Sequence, residues 1–324
     1  MLDATATAAA LPWGPLMAAI TQTLHDHAAA RVHAPERMVL PVAPGTSWFV
    51  MPAWLAPEAG DLAAIKLITF ALGNAAQGLP AILGDVMVMR ASTGQRLALL
   101  DGPTVTARRT AAVTALAVQQ LASQPTGPLL LLGTGVQAHS HAQALVQACG
   151  VREIWVRGRN DQRSAEFAAA LAGQLAGGPS GADPSPVHIH AVSEASGGLP
   201  AALARCPLVV TVTPAQQVCL HGPVRPDALV AAVGAFTPQM IELAPSLTQH
   251  LARTGRIVID SPNARHEAGD LLTAQLDTHA RPTLADVLLH TPAGQAALAG
   301  TGPVLFKSCG AALWDLAAAR CAVA

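Results

Sequence analysis

Residues 129–159 read LLLLGTGVQAHSHAQALVQACGVREIWVRGR, and this stretch decides the fold. The apolar run Leu129 to Leu132 has the length of a buried strand and ends on Gly133-Thr134-Gly135-Val136-Gln137-Ala138. A helical segment follows, then a second apolar run from Ile154 to Val156. Strand, glycine turn, helix, strand is the first half of a dinucleotide-binding unit. In such a unit Gly133 permits the tight turn and Gly135 lets backbone N–H groups approach a pyrophosphate. Ala138 stands where helix and strand pack closely. The pyrophosphate then meets the positive end of the helix.

The end of the second strand refines the cofactor. An Asp or Glu there would bond the ribose 2′-OH of NAD. This chain has Arg157-Gly158-Arg159-Asn160 instead. Guanidinium groups match a 2′-phosphate in charge and in fork geometry, which points to NADP(H). Asp161 follows and keeps weaker use of NADH open, and two solvated surface arginines are the plainer alternative.

Composition bounds the rest. At 324 residues there is room for about two domains. The chain is 51% hydrophobic, 12% charged and carries a formal net charge of −1, with no basic run of the kind that meets nucleic acid. No apolar run reaches the ~18 residues of a membrane helix. MLDATATAAALPWG has no basic region ahead of an apolar core, so no signal peptide is expected. Five cysteines without CxxC spacing fit a reduced, cytoplasmic protein, and the histidines come without HExxH, so no metal site is expected.

Patterning predicts helices at 14–30, 104–122 and 311–321. It predicts strands at 37–42, 47–52, 64–70, 82–90 and 97–100, with a turn at 92–95. Gln124 to Pro128 reads as a boundary, and Gly173 to Pro186 as a loop. Later strands at 187–191, 208–212, 229–233 and 256–260 continue a parallel sheet.

Three cations fall where these patterns predict burial. Lys66 shares a strand face with Ile68 and Phe70. Arg109 heads the stripe Val113, Leu116, Ala117, and Arg37 shares a face with Val39. Buried cations are costly unless paired. Either each pairs with a structural carboxylate, such as Asp85 or Asp101, or they converge on a substrate carboxylate.

The chain resembles the ornithine cyclodeaminase/mu-crystallin family. The resemblance rests on RMVLPV (37–42), AIKLITF (64–70), DGPTVTARRTAA (101–112), LLGTGVQAHSH (131–141), VTVTPA (210–215), VIDSPNARHEAGD (258–270) and LFKSCGAALWD (305–315). It implies an α/β protein with a Rossmann-type NADP-binding domain (125–300) inserted in an α+β substrate and dimerisation domain (1–124 plus 301–324), and a homodimer. It further implies that Arg37, Lys66 and Arg109 bind a substrate carboxylate and that Thr110 touches the cofactor near the nicotinamide. By the same resemblance Gly133, Gly135, Val136 and Gln137 hold the pyrophosphate, and Arg159 and Asn160 meet the 2′-phosphate. Thr213 and Gly234 line the cofactor cleft, and Lys307 reaches it from the returning C-terminal segment. Thr213 and Gly234 also read plainly as turn residues.

Two departures narrow the chemistry. Cyclodeaminases carry an aspartate shortly before the Glu-Leu that is here Glu242-Leu243. The position falls at Phe236, and phenyl does no acid–base chemistry, which disfavours ornithine cyclodeamination. Ile82 stands where mu-crystallin resembles a histidine-bearing sequence. The expected activity is NADPH-dependent reduction of a cyclic ketimine 2-carboxylate (Δ1-pyrroline- or Δ1-piperideine-2-carboxylate) to L-proline or L-pipecolate, with Lys66 catalytic. Alternatives are an alanine or opine-type dehydrogenase of the same family, or an NADPH-dependent small-ligand-binding protein.

Overall fold

The structure, a computed structural model, describes residues 1–176 and 185–324. The chain divides into two compact units, Met1–Val113 with Ala311–Ala324, and Thr114–Gly310. The divisions expected after residues 124 and 300 therefore fall elsewhere. The first lies inside a helix that runs to Leu121. The second lies beyond a strand, Val304–Lys307, that patterning did not single out.

The first unit opens with helices α1 (Ala4–Ala9) and α2 (Trp13–Ala28). Trp13, Leu16, Met17, Ile20 and Leu24 recur at helical spacing on the buried face of α2. Six antiparallel strands follow: β1 (Val32–His33), β2 (Met38–Ala43), β3 (Thr46–Leu55), β4 (Leu62–Ala71), β5 (Ile82–Arg90) and β6 (Arg96–Asp101). The sheet runs β1-β3-β4-β5-β6, and β2 also pairs with β3. Phe49, Met51, Ala53 and Leu55 alternate inward on β3, as Leu62, Ala64, Lys66 and Ile68 do on β4. The C-terminal helix (Ala312–Ala322) lies on β3 and β4 and against α2. Helix α3 (Gly102–Leu121) starts at Asp101, whose carboxylate accepts the Thr104 N–H at 2.8 Å.

The opposite face of this sheet is apolar and open. Cross-strand register puts Leu40 beside Trp48, and Val50 beside Leu67. Met38, Leu40, Trp48, Leu67 and Leu83 are all exposed there. All six positions of β2 are exposed, because β2 is bonded to β3 alone. The expected burial of Arg37 beside Val39 is thereby corrected: Arg37, just before this edge strand, is only half-buried.

The second unit is a parallel sheet built in the order strand, helix, strand: β7 (Leu129–Leu132), α4 (Val136–Cys149), β8 (Glu153–Arg157), α5 (Asp161–Ala176) and β9 (His188–Ala191). It continues through α6 (Gly198–Arg205), β10 (Leu208–Thr211), β11 (Leu229–Ala232), α7 (Pro245–Thr254), β12 (Arg256–Ile259) and β13 (Val304–Lys307). The seven strands run β12-β13-β11-β10-β7-β8-β9. Chain order therefore reverses between β7 and β10, and doubly wound sheets bind their ligands at such a switch point. β7, β10, β11 and β13 are buried at every position, as strands covered on both faces must be. The loop expected at 173–186 starts later, since α5 holds Gly173 to Ala176 in helix. Residues 177–184 of that loop lie outside the described residues.

Candidate active site

In the first unit the sequence builds a buried charge cluster. Period-two alternation turns Lys66 inward on β4, between Met51 of β3 and Val86 of β5. It is 1% exposed. Its Nζ lies 3.0 Å from Oδ1 and 2.9 Å from Oδ2 of Asp315 in the C-terminal helix. Arg109, on α3, brings its Nε to 3.3 Å from the same Oδ1. Neither Asp85 nor Asp101 is the partner that sequence reasoning offered. The partner is Asp315, whose one signal was a carboxylate in the apolar helix ALWDLAAA.

The count of charges matters more than the pairing. Two cations share one carboxylate, and Arg109 Nε is buried without a hydrogen-bond partner, Arg109 as a whole being 5% exposed. Such a group needs an anion. Burial pulls the Lys66 ammonium down to about 8, with Arg109 and Arg37 pulling the same way and Asp315 opposing them. Arg37 stands over the Phe49 ring at 5.8 Å, and Phe49 meets Phe70 edge-on at 6.5 Å. Ile82 pairs with Phe70 across the strands. An apolar wall thus adjoins the cations on the inner face of the sheet. Thr110 is buried on α3 next to Arg109.

In the second unit the glycine turn has the form a dinucleotide requires. Gly133 has φ 128°, and a Cβ there would lie 2.7 Å from the Val212 carbonyl oxygen. It is therefore the tight-turn glycine. Gly135 caps α4 with no side-chain hydrogen bond, and a Cβ there would meet only open space. The first N–H groups of α4 are left without side-chain caps, which is what an anion needs. Val136 is 69% exposed at this turn, and Gln137 Oε1 is buried without a hydrogen-bond partner. An orphaned acceptor and an exposed apolar side chain at a helix N-terminus fit a bound nucleotide. At the end of β8, Arg157 is taken up by Asp161 at 2.6 Å and by the Val192 carbonyl. Asn160 Oδ1 caps α5 through the Arg163 N–H at 2.9 Å, and Arg159 is exposed.

The carboxyl ends of β10, β11 and β13 are joined by a network the sequence did not reveal. Glu242 is fully buried and accepts from Thr211 Oγ1, from the Thr213 N–H and Oγ1, and from the Gly234 N–H. Burial pushes its carboxyl up, while the nearby Lys307 ammonium and the hydrogen bonds from Thr213 and Thr211 pull it back down. Thr213 and Gly234 are thus held by Glu242 and both remain half-buried rather than sealed. Lys307 is corrected. It ends β13, fully buried, with Nζ on the Ala235 and Ala232 carbonyls and 3.0 Å from Asp270 Oδ2. It ties strand ends together and has no exposed surface to offer a ligand. Phe236 packs partly buried against the core of this unit.

The sequence matches the model of the ornithine cyclodeaminase/mu-crystallin family over residues 4–323. The chain belongs to this family. Within it, the chain is 40% identical over 324 residues to Δ1-pyrroline-2-carboxylate reductase 2 of Burkholderia ambifaria, covering 99% of this chain and 94% of that protein. It is 41% identical over 323 residues to the Δ1-pyrroline-2-carboxylate/Δ1-piperideine-2-carboxylate reductase of Azospirillum brasilense, with the same coverage of 99% and 94%. The fold is that of Thermococcus litoralis Δ1-pyrroline-2-carboxylate reductase, solved with NADH and L-proline. The TM-score is 0.83 at 22% identity, over 96% of this chain and 92% of that one. The family member described here is accordingly an oxidoreductase with a Rossmann-type dinucleotide-binding unit.

Proposed function

We propose that the protein reduces a cyclic ketimine 2-carboxylate, Δ1-pyrroline-2-carboxylate or Δ1-piperideine-2-carboxylate, to L-proline or L-pipecolate with NADPH. One observation carries the reading: Lys66 and Arg109 are both buried and share a single carboxylate, which leaves positive charge for a substrate anion. Arg109, with Arg37, takes the substrate carboxylate and fixes the orientation of the ring. Phe49, Phe70 and Ile82 wall a small apolar ring. The cofactor that the Gly133–Gln137 turn would hold would supply the hydride for C2. Lys66 gives the proton that goes to the ring nitrogen, so that C=N becomes CH–NH. Thr110 is read as a neighbour of the nicotinamide, and Thr213 and Gly234 as cofactor contacts shaped by Glu242.

Preference for NADPH rests on Arg159, exposed at the end of β8, and on the engagement of Asp161 by Arg157, which occupies the carboxylate that would otherwise favour NADH. We read the protein as a cytoplasmic homodimer. The open apolar sheet face of the first unit supports the dimer, since monomers rarely leave a patch of this kind uncovered. Among the described residues, no helix is long and apolar enough to cross a membrane.

The test is NADPH absorbance with purified protein and Δ1-pyrroline-2-carboxylate, with NADH in parallel. Rapid oxidation of NADPH, with NADH much slower, is expected. No oxidation by a protein that binds NADPH would overturn the reading and direct attention to pyruvate with ammonia.

A further inference from the structure

The cluster around Lys66 is asymmetric in a way the substrate reading does not use. Asp315 is 249 residues from Lys66 and reaches it from the helix that returns to the first unit at the end of the chain. Both its oxygens lie within 3.0 Å of the ammonium, Oδ1 as a hydrogen bond and Oδ2 as an ion-pair contact alone. Its contact with Arg109 is at the Nε edge, at 3.3 Å and without hydrogen-bond geometry. The carboxylate is therefore aimed at the lysine, and the guanidinium merely leans on it. Other groups facing Lys66 give no help in keeping it charged. Arg109 on α3 and Arg37 before β2 are cations, and the flanking Met51 and Val86 do not titrate.

We propose that Asp315 is the positioning residue that keeps Lys66 protonated and aimed as the proton donor, while leaving the hydrogen-bonding capacity of Arg109 to the substrate carboxylate. This rests on the reading of Lys66 as donor. In the step, an Nζ–H bond of Lys66 breaks and an N–H bond forms on the ring nitrogen, as the hydride from the cofactor forms the C2–H bond. The imine is reduced, the cofactor is oxidised, and the neutral lysine regains its proton from solvent between turnovers.

The experiment is the pH profile of kcat and kcat/KM at saturating NADPH for the full-length enzyme, D315N and K66R. The basic limb of kcat/KM in the unsubstituted enzyme is expected near 8, where Lys66 loses its proton. In D315N the limb should move about one to three pH units towards acid, because the opposing charge that favoured the ammonium is gone. Its kcat should fall roughly 10²–10⁴-fold. KM for the imino acid should not rise, since the variant removes an anion from the site of another anion. A merely structural Asp315 would raise KM and leave the limb in place, and that result overturns the proposal. If D315N does not fold, D315S, which also removes the charge, is read the same way: an acidward limb with KM not raised supports the proposal, and an unmoved limb overturns it. K66R separates the two failures. Full activity in K66R defeats the donor reading itself, whereas an inactive K66R with an unmoved limb in D315N defeats only the role of Asp315.

Discussion

Glu242 grips Thr213 twice, through its N–H and its Oγ1, both at 2.8 Å on the same carboxylate oxygen. The other oxygen takes the Gly234 N–H at 2.6 Å. Gly234 has no alternative there, because a Cβ would lie 2.2 Å from the Thr213 carbonyl oxygen and 2.5 Å from Glu242 Oε1. One buried carboxylate thus sets the distance between the ends of β10 and β11 beside the switch point.

The Glu242→Gln variant should therefore be unstable and bind cofactor poorly. An amide offers one acceptor oxygen, and its NH2 group would face existing donors. Each buried donor left stranded costs roughly 1–3 kcal/mol. Urea unfolding and NADPH titration would both register the loss. A variant unchanged in both would remove Glu242 from any role in shaping the turn.

Arg109→Ala should abolish most turnover while leaving NADPH binding near its original strength. Removing one member of a buried charge pair costs about 2–5 kcal/mol, or at least ~30-fold in kcat/KM for the imino acid. Steady-state kinetics beside fluorescence titration of NADPH decides this, and retained kcat/KM is incompatible with the carboxylate clamp.

The two kinetic pH profiles should differ in a fixed direction. kcat/KM reports the free enzyme and kcat the substrate complex. Lys66 sits near 8 in the free enzyme, and a bound carboxylate beside it favours the ammonium, so its pKa rises on binding. Activity is lost as pH climbs through this value, so the basic limb of kcat should lie above that of kcat/KM. Coincident limbs would mean that the substrate anion does not sit near Lys66.

Arg159→Ala should raise KM for NADPH by roughly 10–100-fold, the value of one or two charge-assisted hydrogen bonds, and leave NADH almost unaffected. Parallel assays with both cofactors test it. Equal weakening would assign Arg159 to the fold of the β8 end rather than to the 2′-phosphate.

Trp48→Asp places a charge in the open face formed with Leu40 and Leu67. If that face is the interface between two copies, sedimentation should show a dimer in the unsubstituted protein and a monomer in the variant. A protein monomeric without the substitution leaves the patch to another partner.

Local pattern alone determined a good deal of this molecule. The parallel unit follows from short apolar runs separated by helices, and the nucleotide turn from Gly133 and Gly135 after Leu132. The inward positions of Lys66 and Arg109 follow from strand and helix periods. Periodicity reports which face is buried, so it reached these residues. It reports nothing about what they meet there. Asp315, Glu242 and Asp270 were decided only by tertiary structure, since all their partners except Gly234 lie between 27 and 249 residues away along the chain. The same limit concealed β13. Its place between β11 and β12 is a fact of sheet order. Lys307 was placed at the cofactor cleft by the family resemblance alone. Only the assembled sheet shows that the charge is spent on Asp270 and two backbone carbonyls, where an unpaired ammonium could not have been buried at all.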